Sequence, residues 1–166
     1  MDTLKLTGTI KFDPRDVTKK HKRQGSWKKV AMIMFDGDIC EYYGWFIKRR
    51  YNLTLNRPLR GPHISFINDN NKSINNWVEV KKKYNNTKID VILNLNPKTD
   101  SDDENSSFHW WLNIPEEERG LLHSIREEVG LNRPFFGLHM TIGYANIKNQ
   151  EHSKYLHNLI KNGFIK

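Results

Sequence analysis

The sequence predicts an α+β protein of two lobes within one domain, and three observations carry that expectation. Short apolar runs with period-two alternation, bounded by turn formers, recur along the 166 residues. Stretches with apolar residues at helical spacing lie between them. The order strand, strand, helix, strand occurs once in each half with a connecting helix between. Lobes of about residues 1–72 and 73–166 are therefore expected, with strands free to exchange between them.

Leu4 to Phe12 alternates Leu4, Leu6, Ile10 and Phe12 with polar residues, a half-buried strand. Asp13 to Ser26 carries Asp-Pro and a basic block without apolar periodicity, which reads as a long loop. Trp27 to Phe35 is a more continuously apolar strand suited to a central position. Ile39, Tyr43, Phe46, Ile47 and Tyr51 fall at helical spacing, with Lys48, Arg49 and Arg50 at the end that the helix dipole favours for cations. Asn56 to Pro62 is a basic connection into a strand at His63.

Ser73 is placed to cap a helix running to Tyr84 that buries Ile74, Trp77 and Val78. Lys88 to Leu95 reads as a strand, and Pro97 to Ser107, rich in Asp, Ser and Asn, as a surface loop. Phe108, Trp110, Leu112 and Ile114 then share one face of a strand, with His109, Trp111 and Asn113 on the other. Pro115 and three glutamates start a helix that Gly130 closes. A strand follows at His139, and Tyr155, Leu156, Leu159 and Ile160 suggest a last short helix ended by Gly163.

The composition, 37% hydrophobic and 28% charged, is that of a soluble globular protein. No apolar run approaches the roughly 20 residues of a membrane span, and no secretory apolar region follows Met1. The single cysteine, Cys40, excludes an internal disulfide and a multi-cysteine zinc site, so a reducing cytoplasm is expected and Cys40 reads as a small apolar filler. The net charge of +8 points to an anionic partner such as nucleotide, RNA or an acidic surface.

The chemistry-bearing residues are the pairs His63-Ile64-Ser65 and His139-Met140-Thr141. Each sits in a short apolar strand closely after a glycine, and residues two apart on a strand point the same way. One such match is cheap. Two, 76 positions apart at equivalent places in a repeated element order, suggest two imidazoles and two hydroxyls in one site.

These motifs and the repeated order resemble the 2H phosphoesterase superfamily, which includes RNA 2′,3′-cyclic phosphodiesterases. Phe12-Asp13-Pro14, Tyr43-Gly44-Trp45-Phe46-Ile47, the small size and the Lys- and Asn-rich composition are most similar to its phage anti-CBASS phosphodiesterases. Ser65 stands where threonine is common there; the hydroxyl is kept. The resemblance implies two pseudo-symmetric antiparallel sheets with flanking helices around a central cleft. It implies metal-free opening of 3′-5′ bonds in cyclic di- or trinucleotides by 2′-hydroxyl attack, in the cytoplasm of an infected host.

Such a reaction needs a base for the 2′-hydroxyl and an acid for the departing 5′-oxygen, and two histidines titrating near neutrality suit both tasks. The Ser65 and Thr141 hydroxyls would hold the non-bridging oxygens. No third metal ligand stands nearby in a recognised spacing, so neither metal nor cofactor is expected. Trp111 is the first candidate for stacking a base, and Phe12 the second; Arg57 and Arg60, leading into the first motif, are candidate phosphate clamps. No membrane and no obligate protein partner is implied. Two rivals stand beside this reading: an RNA-end 2′,3′-cyclic phosphodiesterase, and a non-catalytic RNA-binding domain.

Overall fold

The computed structural model describes residues 2–14, 28–69, 72–102, 107–146, 158 and 161–162. Its elements are β1 (Thr3–Phe12), β2 (Ala31–Phe35), α1 (Ile39–Tyr51), β3 (His63–Ile67), α2 (Trp77–Tyr84), β4 (Lys88–Asn94), β5 (Lys98–Asp102), β6 (Ser107–Asn113), a 3-10 turn at Glu116–Glu118, α3 (Gly120–Glu128) and β7 (His139–Asn146). The protein is α+β, with two antiparallel sheets ordered β3-β2-β1-β4 and β5-β6-β7. β4 follows α2 in the chain yet completes the first sheet. One apolar cluster underlies both sheets, joining Ile10, Ile33, Ile64 and Phe66 to Trp110, Leu112, Met140 and Ile142. No helix among the described residues is long and apolar enough to cross a membrane.

Several boundaries depart from the sequence expectation. β2 begins at Ala31, because Lys28 and Lys29 form a turn with Lys29 at φ +57°. The Lys29 N–H donates to Asp13 Oδ1 at 2.7 Å, pinning together the two ends of the predicted basic loop. Asp13 also accepts from Trp77 Nε1 at 3.1 Å and Lys81 Nζ at 2.7 Å. Burial raises its carboxyl, but these bonds outweigh burial and leave the pKa below the ordinary value.

α2 starts at Trp77, so Ser73 is not its cap. Asn76, at φ +49°, precedes the helix, and the Asn75 N–H is taken by the Val129 carbonyl. Ile74 is buried beside the helix, whereas Val78 is 73% exposed and Val80 faces inward. Pro97 to Ser107 is not wholly loop, since β5 pairs with β6 along Lys98–Asp102. The three glutamates form a separate 3-10 turn before α3, and Leu121, at the helical spacing of the buried Leu122, Ile125 and Val129, is itself exposed. The residues proposed for a last helix, Tyr155, Leu156, Leu159 and Ile160, lie outside the described residues, as does most of the 13–26 loop.

α1 meets its expectation, with Cys40, Tyr43 and Ile47 buried and its three cations in the last turn. It packs on β7, where the Cys40 thiol lies 3.6 Å from the Thr141 carbonyl. Burial pushes the Cys40 pKa up to about 11, the nearby Arg57 charge opposing it. The thiolate fraction is correspondingly small, so alkylation of the native chain by iodoacetamide at neutral pH should run at least ~10²-fold slower than that of the denatured chain. Mass spectrometry of timed samples reads this directly; equal rates would place the thiol in solvent.

Candidate functional site

β3 and β7, the strands that carry the two motifs, are end strands of their respective sheets and pack against each other. Their period-two burial separates chemistry from core. His63, Ser65, His139 and Thr141 are half-buried, while Ile64, Phe66, Met140 and Ile142 are buried in the common cluster. Both histidine and hydroxyl pairs therefore sit on strand faces turned from that core.

The two strands agree in detail beyond sequence. His63 Nδ1 lies 2.9 Å from the Gly61 carbonyl, and His139 Nδ1 lies 2.9 Å from the Gly137 carbonyl. A carbonyl only accepts, so each Nδ1 is the protonated nitrogen and each Nε2 carries the lone pair of the neutral ring. Gly61 reaches its position through φ +72°, a backbone state that L side chains rarely adopt. At Gly137 a Cβ would stand 3.1 Å from the Arg119 guanidinium.

Each strand also carries a bulge one residue after its hydroxyl. Ser65 pairs with Met32 and Ile67 with Ala31, leaving Phe66 without a partner on β2. Thr141 pairs with Trp111 and Gly143 with Trp110, leaving Ile142 without a partner on β6. A bulge shifts the in-out alternation by one residue, so Phe66 and Ile67, and likewise Ile142 and Gly143, are all buried.

The helices are exchanged between the motifs: α1, from the first half, packs on β7, and α3, from the second, packs on β3. From α3 the Arg126 side chain, 2% exposed, donates to the Phe66 carbonyl at 2.7 Å and to Asp69 at 2.8 and 3.2 Å. Its Nε donates to the Asn132 carbonyl. The cation thus holds the bulge of β3. Burial raises the Asp69 carboxyl, but the Arg126 and Lys72 hydrogen bonds win, and its pKa falls below the ordinary value.

Aromatic rings surround the second motif. Trp111, half-buried and directly across from Thr141, has its ring 6.0 Å from the His139 ring and donates from Nε1 to Asn113 Oδ1. Phe136 meets His139 edge-on at 6.4 Å and is 47% exposed. Further along, Tyr144 stacks on His109 at 6.3 Å. Directly opposite, Met34 and Met32 are the cross-strand neighbours of His63 and Ser65.

The other sequence candidates stand differently. Phe12 is a core residue, 4% exposed, with its ring 4.9 Å from Trp77 and 6.4 Å from Phe66; it also lines a small cavity with Arg60. Arg57 pairs with Glu41 of α1 at the surface, and Arg60 Nη2 donates to the Pro14 carbonyl. The segment between them and α1 is fixed on β7 by mutual Asn56–Tyr144 backbone bonds. Of the remaining histidines, His123 is buried, with its pKa lowered first by burial and then by Arg133, Arg119 and Arg126; His21, His152 and His157 lie outside the described residues. Sequence reasoning missed Phe136 and Arg126. The shared Gly-x-His spacing was the visible trace of the carbonyl anchors. Among the described residues, no three His, Cys, Asp or Glu side chains gather in a way that could hold a metal ion. No family model, curated protein or solved structure matches the chain.

Proposed function

We propose that the chain is a metal-independent phosphodiesterase that opens 3′-5′ bonds next to a ribose 2′-hydroxyl, with His63 and His139 as its acid and base. The observation that supports this most is the matched pair: two packed strands, each with a carbonyl-anchored histidine and a hydroxyl on the same half-buried face. Anchoring Nδ1 makes Nε2 the working nitrogen of both rings. The neutral ring takes the 2′-hydroxyl proton there, and the protonated ring gives one to the leaving 5′-oxygen. Ser65 and Thr141 donate to the non-bridging oxygens, where charge grows in the transition state. The product is a 2′,3′-cyclic phosphate and a free 5′-hydroxyl.

The substrate class follows from the resemblance: cyclic di- or trinucleotide signals, cleaved as a viral counter-defence against host CBASS immunity in the bacterial cytoplasm. The net charge of +8 favours such an anion. The test is incubation of the purified chain with a 3′,5′-linked cyclic dinucleotide in EDTA, read by chromatography. Linear product ending in a 2′,3′-cyclic phosphate is expected. Turnover confined to RNA ending in a 2′,3′-cyclic phosphate would instead favour the RNA-end rival.

Trp111 supplies a stacking surface beside His139. A stacked base contributes about 1–3 kcal/mol in single-strand binders, so Trp111→Ala should raise KM by about 5–150-fold with kcat little changed. Steady-state kinetics check this, and an unchanged KM would remove Trp111 from the binding surface.

A further inference from the structure

A second cavity, of about 530 Å³, opens between α1 and the turn that joins β4 to β5. Its floor is Trp110, stacked on Tyr51 at 6.1 Å, and its walls include Tyr42, Tyr43 and Phe46. Trp110 is one residue from Trp111, and successive strand residues point to opposite faces. The cavity therefore lies on the other side of β6 from the half-buried face of the second motif. Its size is within the usual range for small-ligand sites, about 300–1,000 Å³.

We propose that this cavity binds a nucleotide, meaning a planar heterocycle carrying a phosphate, at a site separate from the two histidines. Two features select that chemistry. Five of the lining residues are aromatic, and among them Tyr42, 61% exposed, presents an accessible ring to a flat ring system. Among the described residues the charged members of the lining are both cations, Arg50 and Lys98, and no carboxylate lines it. Neither cation is in an ion pair among the described residues. Arg50 instead lies over the Phe46 and Tyr51 rings, at 5.9 and 5.5 Å, a contact that leaves its N–H edge for an anion. Asn96, also in the lining, supplies an amide able both to donate to and to accept from a base edge.

The experiment is calorimetric titration of the full chain carrying His63→Ala and His139→Ala, so that the proposed catalytic site is disabled, with AMP, adenosine and inorganic phosphate as separate probes. AMP should bind at least ~10-fold more tightly than either fragment, because rings and cations act on different parts of it. Adding Arg50→Gln and Lys98→Gln should weaken AMP at least ~10-fold, the usual scale for lost hydrogen bonds to charged groups. Neutralising two other exposed cations, Lys82→Gln and Lys88→Gln, should leave it unchanged. The proposal is overturned by absence of AMP binding, by adenosine or phosphate binding as well as AMP, or by equal effects of the two cation pairs. Since the readout is binding, the result is independent of whether the histidines cleave anything.

Discussion

His63→Ala and His139→Ala should each lower turnover of a cyclic dinucleotide by at least ~10²-fold, the usual scale for a lost general acid or base. Neither ring belongs to the apolar cluster, so the melting temperature should stay close to that of the parent chain. The two variants should differ in pH dependence. Each keeps one limb of a bell-shaped profile, and the limb that disappears tells whether the missing ring was the base, lost from the acid side, or the acid, lost from the alkaline side. Full activity in either variant would end the two-histidine mechanism.

Asp69→Asn should destabilise the fold by about 3 kcal/mol, because it leaves the buried Arg126 cation without its carboxylate. For a chain of this size that lowers the melting temperature by roughly 10 °C. The pH dependence has a definite sign. The Asp69 pKa is depressed in the folded chain from its ordinary 3.8. Its contribution is therefore complete above the unfolded value and is lost as pH falls through the lower folded value. The gap in stability between parent and variant should be widest near neutrality and close on acidification. Thermal melts from pH 7 to pH 2 measure it; a constant gap would mean that the ion pair contributes nothing.

Much of this arrangement was legible in the sequence. The motif strands announced themselves because a histidine and a hydroxyl two positions apart inside an apolar run can only share one strand face, and Ile64, Phe66, Met140 and Ile142 do turn inward. Trp111 was legible for the same reason: Trp110 is buried and its neighbour must face away. β5 was not legible, since Lys98-Thr99-Asp100-Ser101-Asp102 has no apolar alternation and is a strand only because β6 offers it a ladder. The bulges escaped as well, because an extra residue in a ladder leaves no mark on hydrophobic spacing. Ser73 looked like a cap, but burial of Ile74 and the bond to Val129 hold the chain out of the helix until Trp77. Arg126 reads as an ordinary helix cation; only the tertiary approach of the Phe66 carbonyl and Asp69 makes it the clamp on β3. Phe12, the second stacking candidate, belongs instead with the apolar side of its strand, enclosed by Trp77 and Phe66.

Nuclear magnetic resonance of the full chain with ¹⁵N-labelled imidazoles decides whether the two histidines serve one phosphate. The probe is a 3′,5′-cyclic dinucleotide blocked by 2′-O-methyl groups, which can bind but cannot react. The His63 and His139 Nε2 resonances should move together along a single saturation curve, while both Nδ1 positions keep the signature of a protonated nitrogen. Movement of one ring alone, or two rings following separate curves, would contradict a shared site.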